Sequence, residues 1–382
     1  MLILHVITGL NNGGAEGVLF RLVTSDKQNE YQIISLMDLG IYGNRLIAEG
    51  IAVYCINMSR GSVTLKGLIR LFHLIRHINP DVVQTWMYHA DLIGGIVARF
   101  AGIRTVVWNI RHSNLDSKKN SLSTRLVAFL CALLSRIIPA KIVSCSEEGV
   151  RVHNDLGYLR DKMVVIPNGF DIAHFFPSLE LRNSMRNELG IKINDVLIGM
   201  VARWDPQKDH ATLIGALSML YKSYGLSFNC LLVGPNMDSS NTSLNDLLNI
   251  FGVADRVILL GPRSDIPAIM NSLDLHCSSS CGEGFPNVVA EAMACGVPCV
   301  VTDVGDARLI VGETGWCVPP ENSRAFADAV GIALHEMTVG NRTERSALCR
   351  QRIVEKFSIE KMLMNYIAVW EKMYFKKKEN NN

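Results

Sequence analysis

The chain lacks any apolar run of the roughly 18 to 20 residues that a membrane-spanning helix requires. The nearest approach, Leu126 to Leu134, is closed by Arg136. It also lacks an excess of charge of one sign. Its 38 Lys and Arg stand against 36 Asp and Glu, a net of +2, where a general nucleic-acid binder would show a basic stripe. Only 19% of the residues are charged while 48% are apolar, which excludes a disordered chain. Met1–Ile7 has no basic n-region and runs straight into a glycine turn, so it reads as a first buried strand and not as a signal peptide. The ten cysteines lie scattered through apolar segments, which suits a reducing cytoplasm and not a disulfide framework. Cys277/Cys281 and Cys295/Cys299 share a spacing that tempts a zinc assignment. A stronger motif occupies the same stretch, and no metal site is expected.

What is present is material for two or three domains in 382 residues. Apolar runs alternate with helical periods throughout, the signature of parallel α/β units. Strands are predicted at Leu2–Thr8, Gln32–Met37, Ala52–Ile56, Val82–Trp86, Thr105–Ile110, Lys141–Cys145 and Val164–Pro167, with helices at Leu65–Ile78 and Asp91–Ala101. A polar stretch without a strand follows, and 176–194 reads as a linker. A second series comprises Val196–Ala202, Asn229–Val233, Val257–Leu260, Leu273–Ser278, Pro298–Thr302 and Trp316–Val318. The expected fold is therefore α/β: two doubly wound, Rossmann-like parallel-sheet domains, 1–175 and 195–350, facing across a cleft. Ligands of such sheets bind at the carboxyl ends of the strands. The helical period from Glu344 to Tyr374 ends in a basic tail within 351–382.

Charge is divided unevenly. Residues 1–175 hold 18 Lys and Arg against 13 Asp and Glu, and residues 176–382 hold 20 against 23. Arg60, Lys66, Arg70 and Arg76 interleave with Leu65, Leu68, Leu71, Phe72 and Ile75, and a more apolar stretch runs from Lys118 to Lys141. Such helices either lie on an anionic membrane surface or pack on the core with a solvated basic face.

The strongest chemical signal runs from Ser278 to Ala294. A strand ends, the loop Gly282-Glu283-Gly284 turns, and a helix opens with Phe285, Pro286, Asn287 and Val288 near its start. Backbone N–H groups at a helix start form an anion site suited to phosphate. Glu283 ahead of the helix and Glu291 one turn inside it are placed to accept from hydroxyls, as on a sugar and a ribose. After the first strand of the second half, Arg203 and Lys208 bracket a loop where two cations can neutralise a diphosphate. In the first half, Gly13 and Gly14 permit close backbone approach to a ligand, but the G-x-G-x-x-G spacing of a dinucleotide fingerprint is absent. Asp38 nonetheless keeps an NAD reading open. His89 and His112 stand at strand ends, where structural roles compete with catalytic ones.

Taken together, Gly13-Gly14-Ala15-Glu16, Arg111-His112-Ser113-Asn114, Pro167-Asn168-Gly169-Phe170-Asp171, Arg203…Lys208 and Glu283-x7-Glu291 resemble the retaining glycosyltransferases of family 4, of the GT-B fold, in the same order and across nearly the whole chain. The resemblance implies transfer of a hexosyl or N-acetylhexosaminyl group from a nucleotide sugar (a UDP-sugar before GDP-mannose) to a saccharide acceptor on a lipid carrier. The setting it implies is bacterial surface-polysaccharide synthesis (O-antigen, capsule or exopolysaccharide) at the inner face of the cytoplasmic membrane, without a metal or other cofactor. It also implies that Glu291 holds the ribose and that Glu283 and the amides from Gly284 to Val288 meet the donor. Arg203 and Lys208 would bind the diphosphate, Gly13 and Gly14 would face it, and His112 would touch the transferred sugar. The C-terminal helix would cross back to the first domain. The usual glycine before the arginine is Ala202 here, which adds a methyl near the phosphates. Competing functions are a sugar-nucleotide epimerase or hydrolase of the same fold, a non-catalytic nucleotide-sugar binder and an NAD-dependent oxidoreductase.

Overall fold

The computed structural model describes residues 1–11, 13–59, 61–111, 121–340 and 342–379, with side chains described as far as Phe375. Among the described residues, thirteen strands form two separate parallel sheets. The first unit, Met1–Gly169 with Ile359–Asn382, alternates β1 (Leu2–Ile7), α1 (Gly14–Ser25), β2 (Glu30–Ser35), α2 (Gly40–Ala48), β3 (Ala52–Cys55), α3 (Leu65–Ile78) and β4 (Val82–Trp86). It continues with α4 (Tyr88–Phe100), β5 (Val106–Ile110), α5 (Leu122–Leu134), β6 (Lys141–Ser144), α6 (Glu147–Asp155) and β7 (Met163–Val165). The strand order is β3-β2-β1-β4-β5-β6-β7. Strands β1, β4 and β5 are buried nearly throughout, as a sheet covered by helices on both faces requires.

The second unit, Phe170–Ser358, runs through α7 (Leu179–Glu188), β8 (Leu197–Val201), α8 (His210–Lys222), β9 (Asn229–Val233), α9 (Thr242–Phe251), β10 (Val257–Gly261) and α10 (Ile266–Ser272). Then follow β11 (Leu275–Ser278), α11 (Asn287–Ala294), β12 (Cys299–Thr302), α12 (Ala307–Val311), β13 (Trp316–Val318), α13 (Ser323–Val339) and α14 (Arg342–Phe357). The order is β10-β9-β8-β11-β12-β13. Each sheet thus reverses its winding once, between β1 and β4 in the first and between β8 and β11 in the second. These switch points open a crevice at the strands' carboxyl ends.

Every strand lies where the sequence predicts one, but three boundaries differ. The segment expected as a linker, 176–194, contains α7, and its packing explains why. Arg182 and Arg186 pair with Asp274 at 2.6 and 2.8 Å, and the Leu197 N–H donates to the same carboxylate at 2.7 Å. A buried carboxylate ringed by cations and an amide holds the helix to the sheet although its sequence is polar. Burial pushes the Asp274 carboxyl up, but Arg342, Arg182 and the Leu197 amide outweigh it and leave it below its usual range. The first unit ends at Gly169 and not at 175, because the Phe170 N–H donates to the Phe357 carbonyl at 2.9 Å and Phe170 bridges Ser358. The C-terminal helical period is two helices, α14 and α15 (Ile359–Glu379). The second belongs to the first unit, burying Met362, Tyr366, Trp370 and Met373 at helical spacing. Trp370 Nε1 donates to Gln84 Oε1 at 3.0 Å, and Asn109 Nδ2 donates to the Tyr366 hydroxyl at 2.9 Å.

In the first sheet's core, Asp91 of α4 is fully buried. Its Oδ1 accepts from Thr85 Oγ1 at 2.5 Å and from the Asn109 N–H at 3.3 Å, while Oδ2 has no partner among the described residues. Burial pushes this carboxyl up to about 8, against those two hydrogen bonds. A carboxyl whose folded pKa lies above its unfolded value of 3.8 gives its stabilisation in full below about pH 4 and loses it as pH rises through about 8. Asp91→Asn is therefore expected to flatten the fall in melting temperature between those pH values. An unchanged slope would refute the assignment.

Candidate active site

The second switch point is built from two loops that the sequence separates by some seventy residues. After β8, the Ala202 N–H donates to the Val233 carbonyl at 2.8 Å and the Trp204 N–H to that of Pro235 at 3.0 Å. The Ala202 methyl packs against the apolar core. Gly234 (φ +142°) is required opposite, since a Cβ there would lie 2.2 Å from the Ala202 carbonyl oxygen. Asp205 opens a short turn over Pro206–Lys208, accepting from the Gln207 N–H at 2.9 Å. The Arg203 Nε donates to its other oxygen at 3.0 Å. Asp209, at φ +45°, then caps α8 by accepting from the Thr212 N–H at 3.2 Å. The loop ends one cation at the surface, Arg203, and turns the other, Lys208, inward.

The β11 loop is laced to it. Lys208 Nζ is paired with Glu283 Oε1, both side chains mostly buried, and Ser280 Oγ donates to the same oxygen at 2.8 Å. Ser279 Oγ lies 3.0 and 2.9 Å from the carbonyl oxygens of Lys208 and Asp209, and the Cys281 N–H donates to the Gln207 carbonyl at 2.8 Å. From the far side, the Asp306 N–H donates to the Gly284 carbonyl at 3.0 Å. Gly305 (φ +53°) passes so close that a Cβ would lie 2.5 Å from the carbonyl oxygens of Glu283 and Gly284. Phe285 is anchored between Phe170 and Phe357, ring centroids 6.2 and 5.7 Å away. Pro286 then stands at the cap of α11, which has no side-chain cap hydrogen bond. Asn287 and Val288 open the helix half-buried, and Glu291 follows one turn in, also half-buried. The first amides of a helix have no partner within it, and with the helix dipole they favour an anion.

Two buried histidines lie near Lys208. His276 of β11 and His210 at the start of α8 are held neutral, at about 3 and about 4, by burial first and by the Lys208 charge second. Among the described residues, neither His276 ring nitrogen has a hydrogen-bond partner. The basic character of this crevice therefore rests on Lys208 and Arg203. The spacing pointed to Arg203, Lys208, Glu283 and Glu291 but not to Ser279, Ser280, Gly234, Gly305 or these histidines, whose roles depend on partners far along the chain.

Gly13 and Gly14 belong to the first unit, at its own switch point. Gly13 caps α1 in extended backbone (φ −150°). A Cβ there would meet the Glu16 carboxylate at 2.4 Å, whereas one at Gly14 would point into open space. Burial raises the Glu16 pKa, with its own amide and the charge of Arg111 opposing. Arg111 donates to Asn168 Oδ1 and lies over the Trp86 ring, 5.6 Å from its centroid. His112 falls outside the described residues. His89 is half-buried in the first turn of α4, after Met87 at φ +70°. The cysteine pairs do not converge: the Cys281 thiol donates to the Pro206 carbonyl and that of Cys299 to the Val289 carbonyl. Among the described residues no group of three or more His, Cys, Asp or Glu could hold a metal ion.

Residues 195–336 match the family model described as glycosyl transferases group 1, and residues 12–174 match that of glycosyltransferase family 4. The UDP-Gal:alpha-D-GlcNAc-diphosphoundecaprenol alpha-1,3-galactosyltransferase of Escherichia coli is 26% identical over 300 residues, 78% of this chain and 76% of that one. The N,N'-diacetylbacillosaminyl-diphospho-undecaprenol alpha-1,3-N-acetylgalactosaminyltransferase of Campylobacter jejuni is 25% identical over 342 residues, 86% of this chain and 89% of that one. The crystal structure of Anabaena HepE in complex with UDP shares the fold, with a TM-score of 0.85 and 22% identity over 97% of this chain and 100% of that one.

Gly305→Ala should cost about 1–3 kcal/mol, from a strained backbone and a clash with two carbonyl oxygens. Urea unfolding reads this directly, and an unchanged midpoint would show that the loop does not depend on the close approach.

Proposed function

The chain belongs to the group 1 glycosyltransferases, and from that premise we propose that it moves a hexosyl or N-acetylhexosaminyl group, with retention, from a UDP-sugar to a lipid-linked saccharide in bacterial surface-polysaccharide synthesis. The observation that carries the reading is the coupling of Lys208 to Glu283 across the β8–β11 switch point, beside the uncapped start of α11. The nature of donor and acceptor is supported by the two relatives, both named for transfer to undecaprenol-diphosphate-linked sugars and one for a UDP-Gal donor.

In this mechanism the amides of Gly284 and Phe285 ahead of α11 and of Asn287 and Val288 at its start, with the cations Arg203 and Lys208, receive the diphosphate. Glu291 accepts from the ribose hydroxyls and Glu283 from the donor sugar. The bond from the anomeric carbon to the phosphate oxygen breaks as the acceptor oxygen bonds to that carbon from the same face. The acceptor hydroxyl's proton passes to the departing diphosphate. Charge grows on that diphosphate in the transition state, where fixed cations act most strongly, and neither a metal ion nor a cofactor takes part. The enzyme works in the cytoplasm on the inner leaflet. Among the described residues no helix is long and apolar enough to cross a membrane.

Calorimetric titration with UDP and GDP should show binding of UDP, weakened about tenfold or more by Glu291→Ala because a charged hydrogen-bond acceptor is lost. Binding of neither nucleotide would overturn the reading. Lys208→Ala should lower kcat by about 100-fold with little change in donor affinity, and Glu283→Ala should nearly abolish transfer. A loss confined to donor affinity in Lys208→Ala, or near-normal turnover in Glu283→Ala, would contradict these roles. Chelator should leave turnover unchanged, and the product's anomeric configuration by NMR should match the donor's.

A further inference from the structure

The Asp274 carboxylate of the second unit is met by more positive charge than it can neutralise. Arg182 and Arg342 both donate to its Oδ1, and Arg186 and the Leu197 N–H donate to its Oδ2. Three guanidinium groups thus face one carboxylate, a surplus of two positive charges. The Arg186 side chain is 1% exposed and also donates to the Ser272 and Asp195 carbonyls at 2.9 and 3.0 Å, so it serves the packing of α7. The Arg182 and Arg342 side chains are 12% and 48% exposed, and both line a cavity of about 490 Å³. Among the described residues, Asp274 is the one carboxylate that lines it. Glu180 and Glu344, in the first turns of α7 and α14, are exposed and lie outside that lining.

Both cations also stand against the local field. Arg342 is the first residue of α14 and Arg182 the fourth of α7, at helix ends whose dipole disfavours positive charge. Ser178 and Leu179 of α7 and Thr343 and Ser346 of α14 line the same cavity, so two helices open on it with the ends whose first amides lack partners within the helix. Burial pulls the Arg182 pKa down against the pull of Asp274, and the charges of Arg186 and Arg342 lower it further. Surplus cations removed from water are costly unless an anion meets them. The arginine fork matches phosphate oxygens, and the volume falls in the range of roughly 300 to 1,000 Å³ that small ligands occupy. Leu179 and Ile193, both exposed, add an apolar rim.

We propose that this cavity is a second anion site, which binds a phosphate group, free or carried by a small metabolite, against Arg342 and Arg182 and beside Thr343 and Ser346. The site goes beyond the donor reading and does not rest on it. Asp274 stands just before β11 and Glu283 follows it, so the cavity and the donor crevice lie at opposite ends of one strand.

The test is thermal unfolding and calorimetric titration of the full chain with inorganic phosphate and with glycerol 3-phosphate, each against chloride at equal ionic strength. Phosphate should raise the melting temperature, as a ligand of the folded state does, and bind saturably with an affinity that Arg342→Gln lowers about tenfold or more. In chloride, Arg342→Gln should melt close to the parent, because Asp274 keeps Arg182, Arg186 and the Leu197 amide. Thr343→Glu places a carboxylate beside the surplus cations; it should melt above the parent in chloride and lose the response to phosphate. Tighter binding of glycerol 3-phosphate would assign the apolar rim to an organic group, and equal binding would assign the site to the free ion. Saturable binding of neither, or a melting temperature that Arg342→Gln lowers equally in chloride and phosphate, would overturn the proposal. So would a phosphate response that vanishes in Arg203→Ala with Lys208→Ala, because the ion would then occupy the donor crevice. UDP binding is read separately, so this site and the donor reading fail independently.

Discussion

The reversal of strand order between β8 and β11 is the constraint on which the site depends. Because these neighbouring strands send their chains to opposite sides, their carboxyl ends leave a crevice that the loops must either fill or line. Here they line it. The β8 loop turns Lys208 inward and the β11 loop brings Glu283 to meet it, while serine hydroxyls and a backbone amide tie the two loops together. A charged pair mostly removed from water is held by excellent geometry or not at all, and these ties supply the geometry.

The surrounding electrostatics follow from burial. His276 and His210 are deprived of water and placed near a lysine, so both stay neutral. Positive charge in the crevice is thereby confined to groups on the loops and to the start of α11. Such an arrangement favours an anion with two faces to satisfy, one toward cations and one toward amides.

Much of this was legible in the sequence because its signals are local. A buried parallel strand is a short apolar run between breakers, so β1 to β13 could be read one at a time. The Gly-Glu-Gly turn into a helix, and the Arg and Lys after β8, are local as well. What escaped depends on residues far apart. Helix α7 looked like a linker because its sequence is polar, yet Arg186 is 1% exposed and held by Asp274, 88 positions away. The division at Gly169 follows from Phe170 meeting Phe357. Gly234 and Gly305 matter only because other loops press against them. The basic amphipathic period of α3 fits either a core-packed or a membrane-facing helix; the structure buries one side and leaves Leu65 and Ile69 exposed on another. The lysine side chains at 376–378 and Arg60 lie outside the described residues.

The most direct test of the account is a crystal structure of the chain with UDP bound. The account predicts the diphosphate at the start of α11 between Arg203 and Lys208, with the ribose hydroxyls on the Glu291 carboxylate. UDP held elsewhere, with the Lys208–Glu283 loops untouched by it, would contradict the claim that this switch point is the donor site.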